Sequence, residues 1–364
     1  MNRVLLVPDL ALERWPSMDR YAAELARRLP DVEVPAEAAT LRGARYLARY
    51  VRYPHALERY RPALVHVADH SYAHCLRAFP GTPSVVTIHD LYPLSVIGRR
   101  QRGPRALVRD MLLTWVVTWV RRASRWIAVS EFTAREAVAL LGLPRERISV
   151  IGNGVDEAFF QRPADAALTA RRHLWLGPIP RSAPEVRRVI LHVGNCEPRK
   201  NVEAAILALG LLRRRGADAV LVQIGGRFTH AHHAAIDAAG VEGFVRQEPQ
   251  VDEAALVAAY YAADALVLPS TYEGFGLPAL EAQAAGLPVV TSGAGGLAEA
   301  AGDASVTVEG ANPPALADAL ALVLTDPALR AGLIERGSRR AHSHTWDAAA
   351  AKVRAAYDET RAAV

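Results

Sequence analysis

Two glutamates in the C-terminal half of the chain are spaced so that both could bind the hydroxyl groups of a sugar or a ribose. Glu273 and Glu281 bracket residues 274–280, a run that contains two glycines and a proline. Backbone amides at a helix start that is reached through glycines bind anions, and phosphate is the usual anion. Acids beside such a site can bind hydroxyls without filling it. The segment alone leaves one alternative equally open, a solvated loop acid followed by an acid that the helix dipole stabilises.

The segments on either side of these glutamates predict how they are held. The apolar run 265–268 is typical of a buried strand, and residues 279–285 are good helix formers. Pro278 suits the first helical turn, and Gly286 suits the residue just past the helix end. We therefore predict a strand, a glycine-bearing loop and a helix, with the amides near Gly276 at the mouth of the loop.

A second candidate for phosphate chemistry is the pair Arg199-Lys200. It follows a predicted strand at 189–193 and a loop that starts at Gly194. Lysine occurs only at positions 200 and 352 of this chain, and every other cation is an arginine. Two adjacent cations after a strand could neutralise phosphate oxygens. The alternative is a solvated pair on a loop.

Charge is unevenly distributed over the 364 residues. Residues 1–165 hold 24 Lys and Arg against 17 Asp and Glu, a net charge of +7, whereas the rest hold 19 against 21, a net charge of −2. A basic half is compatible with an anionic membrane surface or an acidic acceptor, and equally with a solvated surface. The arginines are scattered and not interleaved with aromatic residues, which argues against nucleic acid as a partner.

The remaining composition points to a cytoplasmic protein of two domains. No run of about eighteen apolar residues occurs, so we predict no membrane span. The N-terminal residues lack the pattern of a signal peptide. Cys75 and Cys196 are far apart and fit no metal or redox spacing, and no carboxylate cluster suggests a metal.

Predicted strands alternate with predicted helices twice along the chain, which indicates an α/β fold with parallel sheets. A stretch rich in proline and glycine separates the two series. We predict an N-terminal domain over 1–176, a linker over 177–187, a C-terminal domain over 188–344 and a final helix over 345–364. No GxGxxG motif follows the first strand, which argues against a dinucleotide-binding dehydrogenase.

Six segments together resemble the retaining GT-B glycosyltransferases, specifically glycosyltransferase family 4. Glu273 to Glu281 matches the E-x7-E motif of that family, and the other segments match its signatures in the same order along nearly the whole chain. The segments are 88–90, 128–133, 151–156, 193–201, 273–281 and 295–299.

The resemblance implies the GT-B architecture: two Rossmann-like domains that face a cleft, with a C-terminal helix that crosses back to the N-terminal domain. It implies a metal-independent enzyme without a cofactor, which moves a sugar with retention from a UDP- or GDP-linked donor to a glycan or lipid-linked acceptor. Peripheral association with the inner face of the cell membrane is a further expectation, since the N-terminal half is basic.

The resemblance also assigns roles to single residues. It places Glu281 on the ribose hydroxyls, Glu273 on hydroxyls of the transferred sugar, and His89 beside that sugar. The residues expected to contribute to catalysis are His89, Arg199, Lys200 and Glu273. The residues expected to bind the donor are Gly194, Arg199, Lys200, Glu273, Gly274, Phe275, Gly276, Leu277 and Glu281. The acceptor-side candidates are Arg14, Asp69, Asp90 and Ser130.

Two of these assignments have an ordinary structural alternative. His89 could be a hydrogen-bonded histidine at the end of a strand, and Ser130 could be a helix-start residue. The nearby spacing of Thr133 and Glu136 is that of a capping box. We also expect the histidines within 230–233 to be solvated at a helix start.

The loop after the first strand departs from the family. Residues 9–20 contain no glycine, so the backbone cannot approach a phosphate as closely as a glycine-rich loop can. The loop therefore contributes through side chains such as Arg14 or Arg20, or it serves the acceptor. This departure motivates the alternative function, a catalytically degenerate GT-B protein that binds a sugar nucleotide or a partner enzyme. A phosphorylase would require a lysine that carries pyridoxal phosphate, and neither lysine has that context.

Overall fold

The computed structural model describes residues 3–13, 15–96, 104–177 and 187–363, with the side chains of 104–106 excepted. The chain forms two compact units, Met1–Gly154 with Trp346–Val364, and Val155–Thr345. Most of the predicted linker, 178–186, lies outside the described residues.

The first unit is built on six parallel strands, which lie in the order β2-β1-β3-β4-β5-β6. Because the chain runs from β1 to β2 on one side and from β3 onward on the other, the connections change direction between β1 and β3. Ligands bind at such switch points in open parallel sheets, beyond the carboxyl ends of the strands. The strands are β1 (Val4–Val7), β2 (Val32–Glu33), β3 (Leu64–Val67), β4 (Ser84–Ile88), β5 (Arg125–Ala128) and β6 (Ile148–Val150).

Helices connect these strands and cover the sheet. The α-helices are α1 (Pro16–Arg28), α2 (Glu37–Thr40), α3 (Arg45–Leu47), α4 (Tyr53–Leu57), α5 (Tyr92–Ser95), α6 (Pro104–Val120) and α7 (Glu131–Leu141). The shorter helical turns are Ala11–Glu13, the π-helical Ala48–Arg52, His70–Ala78 and Arg145–Arg147.

The C-terminal helix, Trp346–Ala362, belongs to the first unit. Its residues Trp346, Val353 and Tyr357 are buried in one core cluster with Leu25 of α1 and Leu6 of β1. The predicted return of the chain end to the N-terminal domain is confirmed.

The second unit has a matching sheet of six parallel strands in the order β12-β11-β10-β7-β8-β9. Here the direction of the connections changes between β7 and β10, which are neighbours in the sheet. The strands are β7 (Arg188–Val193), β8 (Ala219–Ile224), β9 (Val245–Glu248), β10 (Ala265–Leu268), β11 (Val289–Thr291) and β12 (Ser305–Thr307).

Eight α-helices complete the second unit among the described residues. They are α8 (Asp165–Leu176), α9 (Val202–Arg214), α10 (His230–Ala239), α11 (Glu253–Ala262), α12 (Leu277–Ala284), α13 (Leu297–Ala301), α14 (Pro313–Thr325) and α15 (Pro327–Ser343). Short 3-10 turns lie at Glu157–Phe160, Pro198–Lys200, Glu242–Phe244 and Glu309–Ala311.

The inner strands β1 and β10 are continuous apolar runs because helices cover the sheets. All four residues of β1 and all four of β10 are buried. The predicted α/β fold with two Rossmann-like domains is confirmed. Among the described residues, no helix has both the length and the apolar character needed to cross a membrane.

Residues 155–176, which the sequence analysis assigned to the N-terminal domain, group instead with the second unit. The polar contacts of α8 explain this grouping. Arg171 Nη1 lies 2.7 Å from Glu248 Oε2 in β9, and Trp175 Nε1 donates to the other oxygen of the same carboxylate at 2.6 Å. Arg172 Nη1 donates to Asp264 Oδ2 at 3.1 Å.

Two local expectations about helix starts were wrong. The spacing of Thr133 and Glu136 predicts Thr133 as the N-cap of α7. The N-cap is instead Ser130, whose Oγ accepts from the amide of Thr133 at 3.0 Å. At α10, His232 is buried rather than solvated, since its Nδ1 accepts from the Thr229 amide at 3.0 Å in a capping box.

Candidate functional site

The two loops that follow β7 and β10 are tied together at the switch point of the second sheet. The Thr271 amide donates to the carbonyl of Arg199 at 2.7 Å. Asn201, which takes the left-handed conformation at φ 52°, donates from Nδ2 to the carbonyl of Pro269 at 3.1 Å. The loop that holds the cations and the loop that holds the first glutamate therefore form one surface.

Lys200 and Glu273 form an ion pair at the centre of this surface. Lys200 Nζ lies 2.6 Å from Glu273 Oε1, and Arg199 Nη1 lies 3.6 Å from Oε2 of the same carboxylate. Ser270 Oγ also donates to Oε1 at 2.8 Å. Burial acts to raise the pKa of Glu273, but Lys200, Arg199 and the Ser270 hydrogen bond outweigh it, so the pKa lies below its ordinary value.

The structure thus brings together the predicted cations and the predicted sugar-binding acid. The sequence predicts phosphate binding for Lys200 and hydroxyl binding for Glu273, and in this structure the two side chains bind each other. Their roles toward a ligand stay predictions. A ligand that takes up either group must replace an ion pair that is mostly buried.

Glycines allow the chain to pack closely around this pair. Gly276 has φ 110°, and a Cβ atom there would lie 2.7 Å from Leu297 Cδ1 and 3.1 Å from Leu297 Cα. A Cβ atom on Gly225, in the loop after β8, would lie 2.8 Å from the carbonyl oxygen of Gly194. The backbone amide of Gly296 donates to the carbonyl of Glu273 at 2.8 Å. Gly276 and Gly225, both at positive φ, require glycine for conformation and for space.

The remaining predicted donor residues lie on the same segment. Gly274 and Phe275 are buried, and α12 begins at the half-buried Leu277, one residue earlier than Pro278 suggested. The predicted order of strand, glycine-bearing loop and helix is confirmed. Gly286 follows the helix at φ 69°, as its position in the sequence indicated.

Glu281 is the fifth of the eight residues of α12, and only 4% of its surface is exposed. Its Oε2 accepts a hydrogen bond of 2.7 Å from the hydroxyl of Tyr260, at the end of α11. Tyr260 is not predictable from the sequence, because nothing in the spacing of residues 260 and 281 indicates a contact between two different helices.

His192, the next-to-last residue of β7, was also missed. It is fully buried, and neither ring nitrogen has a hydrogen-bond partner among the described residues. Burial, with the nearby charge of Lys200, lowers the pKa of His192 to about 3, so the imidazole is neutral although it lies near a cation. A strand histidine whose neighbours are apolar gives no sequence signal of this kind.

In the first unit, His89 follows β4 and is buried. Its Nε2 lies 2.9 Å from the carbonyl oxygen of Ala68, and because a carbonyl only accepts, Nε2 carries the proton. Burial lowers the pKa of His89, although Asp69 acts to raise it, so the neutral ring presents Nδ1 as an acceptor. The edge of the Tyr21 ring packs against the imidazole at a centroid distance of 4.8 Å.

Hydrogen bonds connect this region to the C-terminal helix. His66 Nδ1 lies 2.6 Å from the hydroxyl of Tyr357, and its Nε2 lies 2.7 Å from Thr87 Oγ1. The hydroxyl of Tyr21 is 2.9 Å from the same Thr87 atom. Burial lowers the pKa of His66 to about 3. Tyr21, which packs on His89, is therefore fixed by a buried polar network.

The acceptor-side candidates that the structure describes make hydrogen bonds that are typical of turns and of helix N-termini. Asp69 Oδ1 accepts from the amide of Ser71 at 2.6 Å, and Asp90 Oδ1 accepts from the amide of Tyr92 at 3.2 Å. Burial acts to raise the pKa of Asp69, but His70, His89 and the Ser71 amide lower it below its ordinary value. Ser130 caps α7 as described above. Arg14 lies outside the described residues.

Side chains, rather than glycines, hold the loop after β1. Glu13 Oε1 accepts from Arg49 Nη1 at 3.3 Å and from the Tyr72 hydroxyl at 3.2 Å, and Arg45 pairs with Oε2. Asp9 is 4% exposed, and neither carboxylate oxygen has a hydrogen-bond partner in the described chain. Burial raises its pKa well above the ordinary value.

Comparison with known proteins identifies the family. The family described as Glycosyltransferase Family 4 matches residues 10–159, and the family described as Glycosyl transferases group 1 matches residues 181–340. A D-inositol 3-phosphate glycosyltransferase of Thermobispora bispora is 32% identical over 94% of this chain and 89% of that protein. The chain belongs to glycosyltransferase family 4. It is a glycosyltransferase, as the resemblance of its motifs implied.

A second relative of this family 4 chain carries a different name. The glycogen synthase of Mycobacterium tuberculosis is 36% identical over 74% of this chain and 62% of that protein. The two relatives are therefore named as different enzymes.

Solved structures agree with the GT-B fold of this family 4 enzyme. Sucrose-phosphate synthase from Thermosynechococcus elongatus matches with a TM-score of 0.77 at 19% identity and covers both chains completely. HepE of Anabaena, in complex with UDP and glucose, matches with a TM-score of 0.75 at 18% identity over 98% of this chain and all of that one. At these identities the likeness concerns the fold alone.

Proposed function

We propose that this family 4 glycosyltransferase moves a sugar from a UDP- or GDP-linked donor to a glycan or lipid-linked acceptor, with retention of anomeric configuration and without a metal ion. The observation that carries the proposal is the surface formed by Arg199, Lys200 and Glu273 at the start of α12. A diphosphate, a sugar and a ribose each require one of the group types present there.

The cations supply what the leaving group needs. As the bond between the anomeric carbon and the diphosphate breaks, negative charge develops on the phosphate oxygens. Lys200 and Arg199 neutralise that charge together with the first amides of α12 near Gly276 and Leu277. On this proposal Lys200 exchanges its partner Glu273 for a phosphate, and the released carboxylate accepts from hydroxyls of the sugar.

The sugar is bound by acceptors that do not react with it. We assign His89 to a sugar hydroxyl, which donates to the unprotonated Nδ1, and we assign no protein nucleophile. The acceptor oxygen bonds to the anomeric carbon on the face from which the diphosphate departs. The acceptor proton passes to the departing phosphate oxygen, so charge and atoms balance without a protein base.

Support for the substrate classes comes from the relatives. The structural neighbour HepE is described with UDP and UDP-glucose, which favours UDP among the donors. The named relatives act on an inositol phosphate or on glycogen, both rich in hydroxyl groups. We also propose a cytoplasmic enzyme, with peripheral binding to the inner face of the membrane through its basic N-terminal residues. Both cysteines are free thiols, as a reducing compartment requires.

A thermal-shift screen tests the donor assignment. Purified protein in EDTA is melted with UDP-, GDP-, TDP- and ADP-sugars, because a ligand that binds the native state raises the melting temperature. We expect a rise with at least one of them, lost in Lys200→Ala and kept in the control Lys352→Ala, which removes an exposed lysine far along the chain. No rise with any sugar nucleotide, or an equal rise in both variants, contradicts the proposal.

Retention of the anomeric configuration can be tested only when the enzyme forms product. With the donor found in the screen, inositol 3-phosphate, glycogen fragments and lipid-linked sugars are offered as acceptors, and the product is examined by proton NMR. We expect the anomeric configuration of the donor in the product, formed at the same rate with and without EDTA. An inverted product refutes the retaining mechanism.

A second candidate function is binding of a sugar nucleotide without transfer. One observation favours it: the ion pair between Glu13 and Arg49 fills the loop after β1, where the family has glycines. The turnover assay with the acceptor panel separates the two functions. Binding without release of nucleoside diphosphate over the acceptor panel supports the second candidate.

A further inference from the structure

Tyr260 lies against the second glutamate of the motif although it belongs to a different helix. It is the eighth residue of α11 and is fully buried. Its hydroxyl donates to Glu281 Oε2 at 2.7 Å, and both side chains lie inside the second unit. A hydrogen bond to a charged carboxylate in a buried place is stronger than one between neutral groups.

The ring of Tyr260 is itself held from behind. Phe159 is fully buried, and its ring packs edge-to-face on the Tyr260 ring at a centroid distance of 5.5 Å. The neighbouring Tyr261 donates its hydroxyl to the carbonyl of Phe159 at 3.0 Å. The 3-10 turn at 157–160 therefore fixes both tyrosines, but only Tyr260 reaches the glutamate.

We propose that Tyr260 is a positioning residue, which orients the Glu281 carboxylate for the ribose hydroxyls of the donor. The inference rests on the proposed function, which assigns Glu281 to the ribose. A carboxylate has about four lone-pair positions, so it can accept from Tyr260 and from ribose hydroxyls together. Fixing one oxygen sets the direction of the others, and a binding group that is held in place loses less freedom when the ligand arrives.

The tyrosine pair offers a matched test, since each single substitution to phenylalanine removes one hydroxyl. The probes are UDP, GDP and ADP, each with its 2′,3′-dideoxy form, which keeps the base and the diphosphate but lacks both ribose hydroxyls. The nucleotide that the unaltered protein binds most tightly is used, together with its dideoxy form, for the variants. Calorimetric dissociation constants are then measured for Tyr260→Phe, Tyr261→Phe and Glu281→Gln in the full-length chain.

We expect Tyr260→Phe to weaken binding of the ribonucleotide by up to about tenfold, because the Glu281 side chain, no longer held by the tyrosine, must be ordered when the ligand binds. Binding of the dideoxy form should change less than about twofold in the same variant, because that ligand lacks the hydroxyl groups that Glu281 would bind. Tyr261→Phe should leave both dissociation constants unaltered.

Three results would overturn the inference, and one separates it from the proposed function. Equal weakening of both forms by Tyr260→Phe, no weakening at all, or the same loss in Tyr261→Phe each contradict a positioning role. If Glu281→Gln lowers the preference for the ribonucleotide while Tyr260→Phe does not, the inference fails and the ribose assignment stands. If Glu281→Gln leaves the preference unaltered, the ribose assignment fails and the inference fails with it.

Discussion

Removal of the Lys200 charge should destabilise the second unit, because it leaves a buried carboxylate short of a partner. In Lys200→Met, Glu273 keeps Ser270 at 2.8 Å and Arg199 at 3.6 Å. Loss of one partner of a buried pair costs about 3–5 kcal/mol. Since two contacts remain, we expect a smaller loss, of about 2–3 kcal/mol in the free energy of unfolding.

A double-mutant cycle isolates the pair itself. Glu273→Gln keeps the shape of the side chain and can still accept from Ser270, so Lys200→Met, Glu273→Gln and the double variant complete the cycle. Two unit charges about 4 Å apart near a protein surface interact by about 4 kcal/mol before desolvation is subtracted. We expect a coupling energy of about 2–3 kcal/mol after that subtraction.

The assay must report on the second unit alone, since two units need not unfold together. Hydrogen exchange of peptides from β7 and β10, which are neighbours in the second sheet, gives that local free energy. Saturating nucleoside diphosphate should reduce the apparent coupling, because on our proposal the phosphate takes Lys200 from Glu273. A coupling below about 0.5 kcal/mol, the size expected of an exposed pair, would refute the reasoning.

The pH dependence gives the sign of the same effect. The pKa of Glu273 is lowered in the folded state, so the pair stabilises the fold above the unfolded pKa of about 4.3 and is lost as the pH falls through the folded value. The stability difference between the unaltered protein and Lys200→Met should therefore shrink in acid. A difference that grows as the pH falls would contradict the ion pair.

Three further predictions concern single residues. His66→Asn should flatten the loss of first-unit stability between pH 6 and pH 4 by up to about 1.4 kcal/mol per pH unit, measured by urea unfolding, since only the unfolded His66 takes up a proton there. Gly276→Ala should cost about 2–3 kcal/mol in exchange protection of α12, because its Cβ meets Leu297 at 2.7 Å and φ is 110°; unchanged protection would contradict this. Ser130→Ala should cost about 1 kcal/mol as a lost helix cap and leave the acceptor KM unaltered, whereas a raised KM would show acceptor contact.

The sequence carries enough information for the fold because the inner strands, such as β1, β8 and β10, are largely apolar runs and strands alternate with helices along the chain. β10 and α12 could be placed within one or two residues from the apolar run at 265–268 and from Pro278 and Gly286. The assignment of residues 155–176 failed because the proline-rich stretch at 177–187 is a stronger local signal than the arginines of α8, whose partners lie far along the chain.

Within the site, sequence patterns reveal residue types but not which side chains pair. Lys200 and Glu273 are predictable as members of the site, yet their ion pair depends on the adjacency of β7 and β10, which only the sheet order provides. Tyr260 and His192 were missed for the same reason, since their contacts lie across elements. For Ser130 the sequence allows a place in the site, whereas the structure shows the hydrogen bond of a helix N-cap.

Hydrogen exchange of the intact enzyme with its sugar nucleotide, in EDTA, tests the central claim most directly. The account predicts that the ligand protects peptides that cover 194–201 and 270–281, and that Lys200→Ala abolishes this protection while Lys352→Ala does not. Protection confined to other segments, or protection that appears only when a divalent metal is added, would contradict a metal-independent donor site at the Lys200–Glu273 pair.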